Sequence, residues 1–288
     1  MRTTINHLPA SRRRQVQEIV EVILQLVVPD KIILFGSYAR GNYVEHRYTG
    51  QDGIMYEYIS DYDFLVITPQ PIVKAYEYEE ALISNVQHLK QPVSMLLHDI
   101  EFINQGLSEG WYFFREVISE GILLYDAGQT SLASPRILTP KELSEQRQNY
   151  FDRWHKRGSE FLIDAHQAFA RNSFTQAIYY LHQSAESFYY TMLLVHTGYK
   201  PKTHNLYKLR RQTKPLSEAL FNLFPVDHSD TAYHLFDFLK RGYIDARYKE
   251  DQYHISKEEL EALLQKIEAM RLIVEESGKE LLETGNSD

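Results

Sequence analysis

Residues 32–41 read IILFGSYARG, an apolar run that ends at Gly36 and Ser37 and continues into a short polar turn. A brief apolar run closed by glycine predicts a buried strand that leads into a tight turn. Glycine lets the backbone approach a phosphate closely, and a helix that starts after it points free N–H groups at the anion. The stretch therefore predicts a phosphate-binding turn at Gly36 and Ser37.

A second motif follows at residues 60–66, which read SDYDFLV. Alternate residues of a strand face the same side, so Asp61 and Asp63 are expected to project together. Carboxylate oxygens suit Mg²⁺, and bound metal ions suit in-line displacement at phosphorus. The sequence therefore predicts a magnesium site at this pair.

Taken together, the two motifs resemble the signature of the nucleotidyltransferase superfamily of DNA polymerase beta-like folds, in particular its minimal and aminoglycoside-type members. The resemblance implies that Gly36 and Ser37 hold the triphosphate of a nucleoside triphosphate, with ATP as the expected substrate. It implies that Asp61 and Asp63 bind Mg²⁺ as the catalytic pair. The implied reaction moves a nucleoside monophosphate to a hydroxyl acceptor on a protein or a small molecule.

The resemblance covers about residues 10–125 and also assigns a role to Arg40. This arginine is expected to contact phosphate or to brace the turn, and a surface salt bridge is the alternative.

The matching strand of the family usually carries a third carboxylate, and here the sequence departs from the family. Residues 92–99 read PVSMLLHD, which places Ser94 at the third-acid position. His98 is a candidate base on the same face of the strand, whereas Asp99 is more typical of a helix cap. Without the third acid, a nucleotide-binding regulatory module with weakened catalysis is an alternative to an active transferase.

The pattern of elements changes near the middle of the chain. Apolar runs alternate with helical patterns before residue 126, which is typical of a mixed layer of strands and helices. Small polar residues then predict a linker over 127–139, and residues 140–288 are helical throughout. The expected architecture is an α+β nucleotidyltransferase domain with a small mixed sheet at 1–126, followed by an all-α helical bundle.

The helical half contains Arg247 and His254, separated by six residues. Arginine can hold a phosphate and histidine can transfer a proton, so the pair could cleave RNA by attack of a 2'-hydroxyl. With the long helices around it, this half resembles the HEPN family over about residues 145–285. The alternative for Arg247 is an ion pair with Asp245 or Asp251.

HEPN domains are often encoded beside or fused to minimal nucleotidyltransferases. The resemblance implies either a metal-independent ribonuclease whose site forms across a homodimer, or a module that binds nucleotides or other small ligands. In the first case, the alternative function is a HEPN-type ribonuclease that the nucleotidyltransferase domain restrains. In toxin–antitoxin systems of this kind the transferase adenylylates a tyrosine of the HEPN partner, so Tyr248 and Tyr253 are candidate acceptors. A small polar residue often follows the arginine in the ribonucleases, and Tyr248 departs from that pattern.

Composition limits the other classes of function. The net charge of −8 argues against coating nucleic acid by bulk charge, and the absence of cysteine excludes disulfides and thiolate metal sites. No apolar run reaches the ~20 residues of a membrane span, and the N-terminal residues lack a signal-peptide pattern, so we expect a cytoplasmic protein without a membrane partner. Residues 199–214 carry six cations and no acid, which predicts either binding of a polyanion or a solvated helix face.

Overall fold

The computed structural model describes residues 1–49, 55–224, 230–243 and 254–284. The chain divides into two compact units, Met1–Ile137 and Leu138–Asp288. Among the described residues, no helix combines the length and apolar character needed to cross a membrane.

The first unit is built on a four-stranded mixed sheet. Its strands are β1 (Lys31–Phe35), β4 (Tyr62–Thr68), β5 (Val93–Asp99) and β6 (Ile122–Asp126), in the order β5-β4-β1-β6. Strand β1 is antiparallel to β4 and β6, whereas β4 and β5 are parallel. Strands β2 (Glu45–Thr49) and β3 (Met55–Ile59) form a separate antiparallel pair. The expected α+β fold with a small mixed sheet is confirmed.

Helices cover both faces of this sheet. They are α1 (Ala10–Leu26), α2 (Gly36–Arg40), α3 (Ala75–Asn85), α4 (Ile100–Ser108) and α5 (Tyr112–Glu120). Helix α1 buries Val16, Ile19 and Ile23, whose helical spacing was readable in the sequence. Helix α5 was not predicted, because only Phe114 and Val117 of its residues are fully buried and no side chain caps its start.

The segment predicted as a linker is largely attached to the first unit. The backbone N–H of Gln129 donates to Asp30 Oδ1 at 2.9 Å, and that of Ala133 donates to Asn104 Oδ1 at 2.7 Å. The N–H of Arg136 donates to the carbonyl of Leu107 at 2.9 Å. The division between the units therefore falls after Ile137, near the end of the predicted linker.

The second unit is a helical bundle. Its described helices are α6 (Pro140–Ala170), α7 (Phe174–Thr197), α8 (Leu206–Thr213), α9 (Glu218–Asn222), α10 (Asp230–Arg241) and α11 (Lys257–Thr284). Helix α6 is continuous and starts with a capping box, in which Thr139 and Glu142 satisfy each other's backbone N–H groups. Helix α7 is buried along most of its length between its neighbours. The predicted all-α bundle is confirmed.

Helices α6 and α7 approach each other closely at Gly158. A Cβ added there would lie 2.7 Å from the ring of Phe188, which is closer than van der Waals contact allows. We expect Gly158→Ala to reduce the free energy of unfolding of this unit by about 1–2 kcal/mol. The steric overlap with Phe188 destabilises the unit more than the higher helix propensity of alanine stabilises it. Urea unfolding in a Trp111→Phe background, which leaves Trp154 as the sole tryptophan, is followed by emission and measures the change. Glu160→Ala, an exposed change in the same turn, is the control, and an equal effect of both variants would contradict the packing argument.

Candidate functional site

The turn at Gly36 and the carboxylate of Asp63 lie against each other. Phe35, the last residue of β1, is in register with Asp63 on β4. Gly36 has a φ of 72°, which favours glycine, and a Cβ added there would lie 2.6 Å from Asp63 Oδ2. Because residue 36 has no side chain, the carboxylate of Asp63 can lie beside the turn.

Ser37 follows Gly36 directly in the chain, and Asp61 lies two residues before Asp63. Ser37 is half-buried in α2, and its carbonyl accepts the N–H groups of Gly41 and Asn42 at 2.9 and 3.1 Å. Asp61 directly precedes β4 and is half-buried, as is Asp63. Between them Tyr62 is fully buried and stacks on Tyr38, so the strand alternation separates the acids from the core side of the sheet.

Ser94 lies on β5 in register with Asp63, where the family resemblance expects a third acid. Within the described ranges, no cluster of three or more histidine, aspartate or glutamate side chains suits a metal ion. Mg²⁺ is nevertheless often held by one or two carboxylates together with substrate phosphates. Asp63 lies beside the Gly36 turn, and binding of Mg²⁺ by Asp61 and Asp63 stays a prediction.

His98 and Asp99 have structural roles. The ring of His98 is buried and stacks on Phe102 with 4.4 Å between centroids. His98 pairs with Ile67 of β4. It lies four positions from Ser94 along β5, which corresponds to ~13 Å, and at this distance it is not the base of this site. Asp99 Oδ1 accepts the N–H of Phe102 at 2.9 Å and caps α4, as its position in the sequence indicated.

Arg40 forms ion pairs on the surface of the first unit. Its guanidinium lies 3.6 Å from Glu116 Oε1 and 3.4 Å from Glu120 Oε2, both on α5. Burial and the charge of Glu120 raise the pKa of Glu116, and Arg40 partly offsets this. The geometry matches the salt-bridge alternative, and phosphate contact by Arg40 stays a prediction.

Of the predicted HEPN pair, His254 is described and Arg247 lies outside the described residues, as do Tyr248 and Tyr253. His254 is exposed before α11 and borders a shallow depression formed with residues 172–176 and Ile255. The proximity of Arg247 to His254 stays a prediction.

Sequence reasoning missed a polar cluster around Glu186 on α7. Glu186 Oε2 lies 2.9 Å from His204 Nδ1 and 3.7 Å from His182 Nε2. Burial opposes ionisation of Glu186, but interactions with His182 and His204 outweigh it and lower the pKa of this carboxyl. Tyr243 stacks between the two imidazoles, with centroid distances of 5.1 Å to His182 and 5.0 Å to His204.

The buried imidazole of His182 also has a fixed tautomer. Its Nδ1 lies 2.9 Å from the carbonyl oxygen of Leu239, which can only accept, so Nδ1 carries a hydrogen. The helical spacing of His182 and Glu186 was visible in the sequence, but nothing there indicated that His204 and Tyr243 join them.

Comparison with known proteins gives one family assignment. Residues 151–277 match the model of the HEPN domain. A search of curated proteins finds no match to the chain. The matched residues lie within the helical unit and contain the Glu186 cluster and His254, so the second unit of this protein contains a HEPN domain.

Proposed function

We propose that the first unit is a nucleotidyltransferase that moves a nucleoside monophosphate from a nucleoside triphosphate, with ATP as the expected donor, to a hydroxyl acceptor. The observation that carries the proposal is the contact between the Gly36 turn and the carboxylate of Asp63. It puts a backbone turn suited to phosphate and an acid suited to a divalent cation in one place.

Each residue of the site has a distinct task in this proposal. The backbone at Gly36 and Ser37 binds the triphosphate, and Asp61 and Asp63 hold Mg²⁺. When bound, Mg²⁺ neutralises charge on the phosphate groups of the nucleotide. Ser94 is neutral at pH 7 and can only hydrogen-bond at the position beside Asp63. The acceptor hydroxyl must therefore be oriented without a carboxylate at that position.

The experiment incubates the full chain with each nucleoside triphosphate and Mg²⁺, first alone and then with an aminoglycoside as a small-molecule hydroxyl acceptor. It measures release of pyrophosphate together with the intact mass of the chain and of the acceptor. We expect pyrophosphate release that stops when EDTA is added. A mass gain equal to one nucleoside monophosphate would identify the chain as its own acceptor. Nucleotide binding by calorimetry with no pyrophosphate from any of the four triphosphates would reject the transferase in favour of the regulatory module.

A second candidate function is RNA cleavage by the HEPN domain, favoured by the family match at residues 151–277. We expect cleavage of tRNA that persists in EDTA and is lost in His254→Ala, because this histidine is the predicted proton-transfer group. Gel analysis of the RNA measures it, with His166→Ala as the control at another exposed histidine of the same unit. Intact RNA with the wild type, or cleavage that survives His254→Ala, would remove this candidate.

A further inference from the structure

We infer that a closed circuit of five side chains positions the phosphate-binding turn relative to the acid pair of the first unit. Its members act as positioning residues and are Arg12, Gln15, Tyr38, Glu45 and Tyr62. Their role rests on the transferase proposed for the first unit, to which it adds the residues that hold the two halves of the site together.

Each of the two site motifs contributes one tyrosine to the circuit. Tyr38 follows Ser37 in the turn, and Tyr62 lies between Asp61 and Asp63. Both tyrosines are fully buried, and their rings stack with 4.1 Å between centroids. A stacked pair of rings therefore joins the turn to the segment that carries both acids.

Hydrogen bonds from the two hydroxyls close the circuit through α1. Tyr38 Oη donates to Glu45 Oε1 at 2.9 Å, and Tyr62 Oη donates to Gln15 Oε1 at 2.9 Å. The guanidinium of Arg12 binds both acceptors, because it donates to Glu45 Oε2 at 2.6 Å and to Gln15 Oε1 at 2.7 Å. Either tyrosine can therefore move only by disturbing acceptors that the same arginine holds.

Burial and charge keep the donors of the circuit in the required form. Burial raises the pKa of Tyr62 to about 12, and burial together with the hydrogen bond to Glu45 raises the pKa of Tyr38. Both hydroxyls therefore keep at pH 7 the protons that they donate. Burial opposes the charge of Arg12, but the interaction with Glu45 outweighs it and raises the pKa of the guanidinium.

The segment between the two motifs is fastened to the same place. Glu45 is the first residue of β2, and the backbone N–H of Ser60 donates to the carbonyl of Val44 at 2.9 Å. Ser60 Oγ accepts the N–H of Val44 at 2.9 Å in return. Because Ser60 directly precedes Asp61, the base of the β2–β3 hairpin adds a further restraint beside the acid pair.

The proposed reaction requires this kind of restraint, because the turn and the acids belong to different elements of the fold. A misplacement of ~1 Å of groups that act on one reacting centre can cost on the order of 100-fold in rate. Loss of one hydrogen bond leaves the stacked rings in place and permits a smaller shift. We therefore expect a loss of about tenfold when the circuit is opened.

Two variants open the circuit without removing a ring. Tyr38→Phe deletes the hydroxyl that binds Glu45, and Tyr62→Phe deletes the one that binds Gln15. We expect each variant to lower kcat for pyrophosphate release about tenfold and to change the KM for ATP by less than about threefold, because positioning acts mainly on the transition state. A circuit that is already open at one link loses little at a second, so the double variant should also lose about tenfold, and not the ~100-fold of independent effects.

Tyr43→Phe is the matched control. The ring of Tyr43 also stacks on Tyr38, with 4.4 Å between centroids, but no hydrogen bond joins its hydroxyl to a residue that the structure describes. Loss of this hydroxyl should leave kcat unchanged. The rates are measured at a temperature where circular dichroism shows every variant folded, so a purely structural role of the circuit would also leave kcat unchanged.

The outcomes separate the positioning role from the transferase itself. A wild type that releases no pyrophosphate would reject the transferase, and the positioning role with it. If the wild type is active, two results would overturn the circuit and leave the transferase standing. One is a kcat of Tyr38→Phe and Tyr62→Phe equal to that of Tyr43→Phe, and the other is a double variant in which the two losses multiply.

Discussion

Asp63→Asn is expected to lower the rate of pyrophosphate release on the order of 100-fold or more while leaving the fold intact. The change keeps the size of the side chain, so its contact with the Gly36 turn persists, but it removes half of the charge that holds Mg²⁺. A bound metal ion stabilises charge in the transition state of phosphoryl transfer, so weakening its site acts on the chemical step. The measurement is the initial rate at saturating ATP and Mg²⁺.

The matched control for this variant is Asp99→Asn. Asp99 is the nearest acid in sequence to the third-acid position, yet its carboxylate caps α4 by accepting the N–H of Phe102. Asparagine caps helices about as well as aspartate, so the control should keep both the fold and the rate. If the two variants lose activity equally, Asp63 has no special part in the reaction and the assignment of the site is wrong.

The largest expected effect on stability is at Glu186. Replacing this buried, ionised side chain by alanine leaves His182 buried beside an empty space, and we expect the unit to lose about 3 kcal/mol of unfolding free energy at pH 7. Urea unfolding of the Trp111→Phe background, followed through Trp154 emission, measures the loss. Glu160→Ala on the same background should change it by less than about 0.5 kcal/mol.

The same measurement at lower pH tests the charge of Glu186. Its pKa is lower in the folded chain than the ordinary value of 4.5, so the unfolded chain binds the proton more readily. The stabilisation is therefore complete above the ordinary value and is lost as the pH falls through the folded pKa. We expect the difference between wild type and Glu186→Ala to shrink below about pH 4.5. A constant difference would show that packing alone accounts for the loss.

The parts of the site that the sequence predicted depend on local pattern. The strand before Gly36 and the alternation at Asp61 and Asp63 are set by neighbouring residues, and the register of β4 with β5 then places Ser94 beside Asp63. The ion pairs of Arg40 could not be predicted in the same way, because Glu120 is 80 positions away.

The basic run at 199–214 also shows where prediction from the sequence is limited. Arg210 belongs to this run, yet it is 2% exposed, and its guanidinium lies 3.8 Å from the ring of Phe221. Its Nε donates to the carbonyl of Phe221 at 3.0 Å. Counting cations in the sequence treats Arg210 and Lys200 alike. Only the tertiary structure shows that Arg210 belongs to the core, whereas Lys200 Nζ lies 5.2 Å from the ring of Trp154.

The Glu186 cluster depends on contacts between distant parts of the chain. His182 and Glu186 share a helix face, but His204 arrives from the loop after α7 and Tyr243 from the residues after α10. Helical periodicity does not indicate contacts between segments that are far apart in the sequence. A histidine on a mostly apolar helix, such as His182, is more often a satisfied core residue, so the sequence alone gave no reason to select it.

Calorimetric titration of the full chain with ATP and Mg²⁺ tests most directly whether the Gly36 turn and Asp63 form a nucleotide site. We expect saturable binding that Gly36→Val abolishes, because a side chain there would collide with the Asp63 carboxylate and force an unfavourable φ. We also expect that Lys200→Gln, a change in the HEPN domain, leaves this magnesium-dependent binding unchanged. Binding of equal strength in Gly36→Val and the wild type, or no binding to the wild type, would contradict a nucleotide site at Gly36 and Asp63.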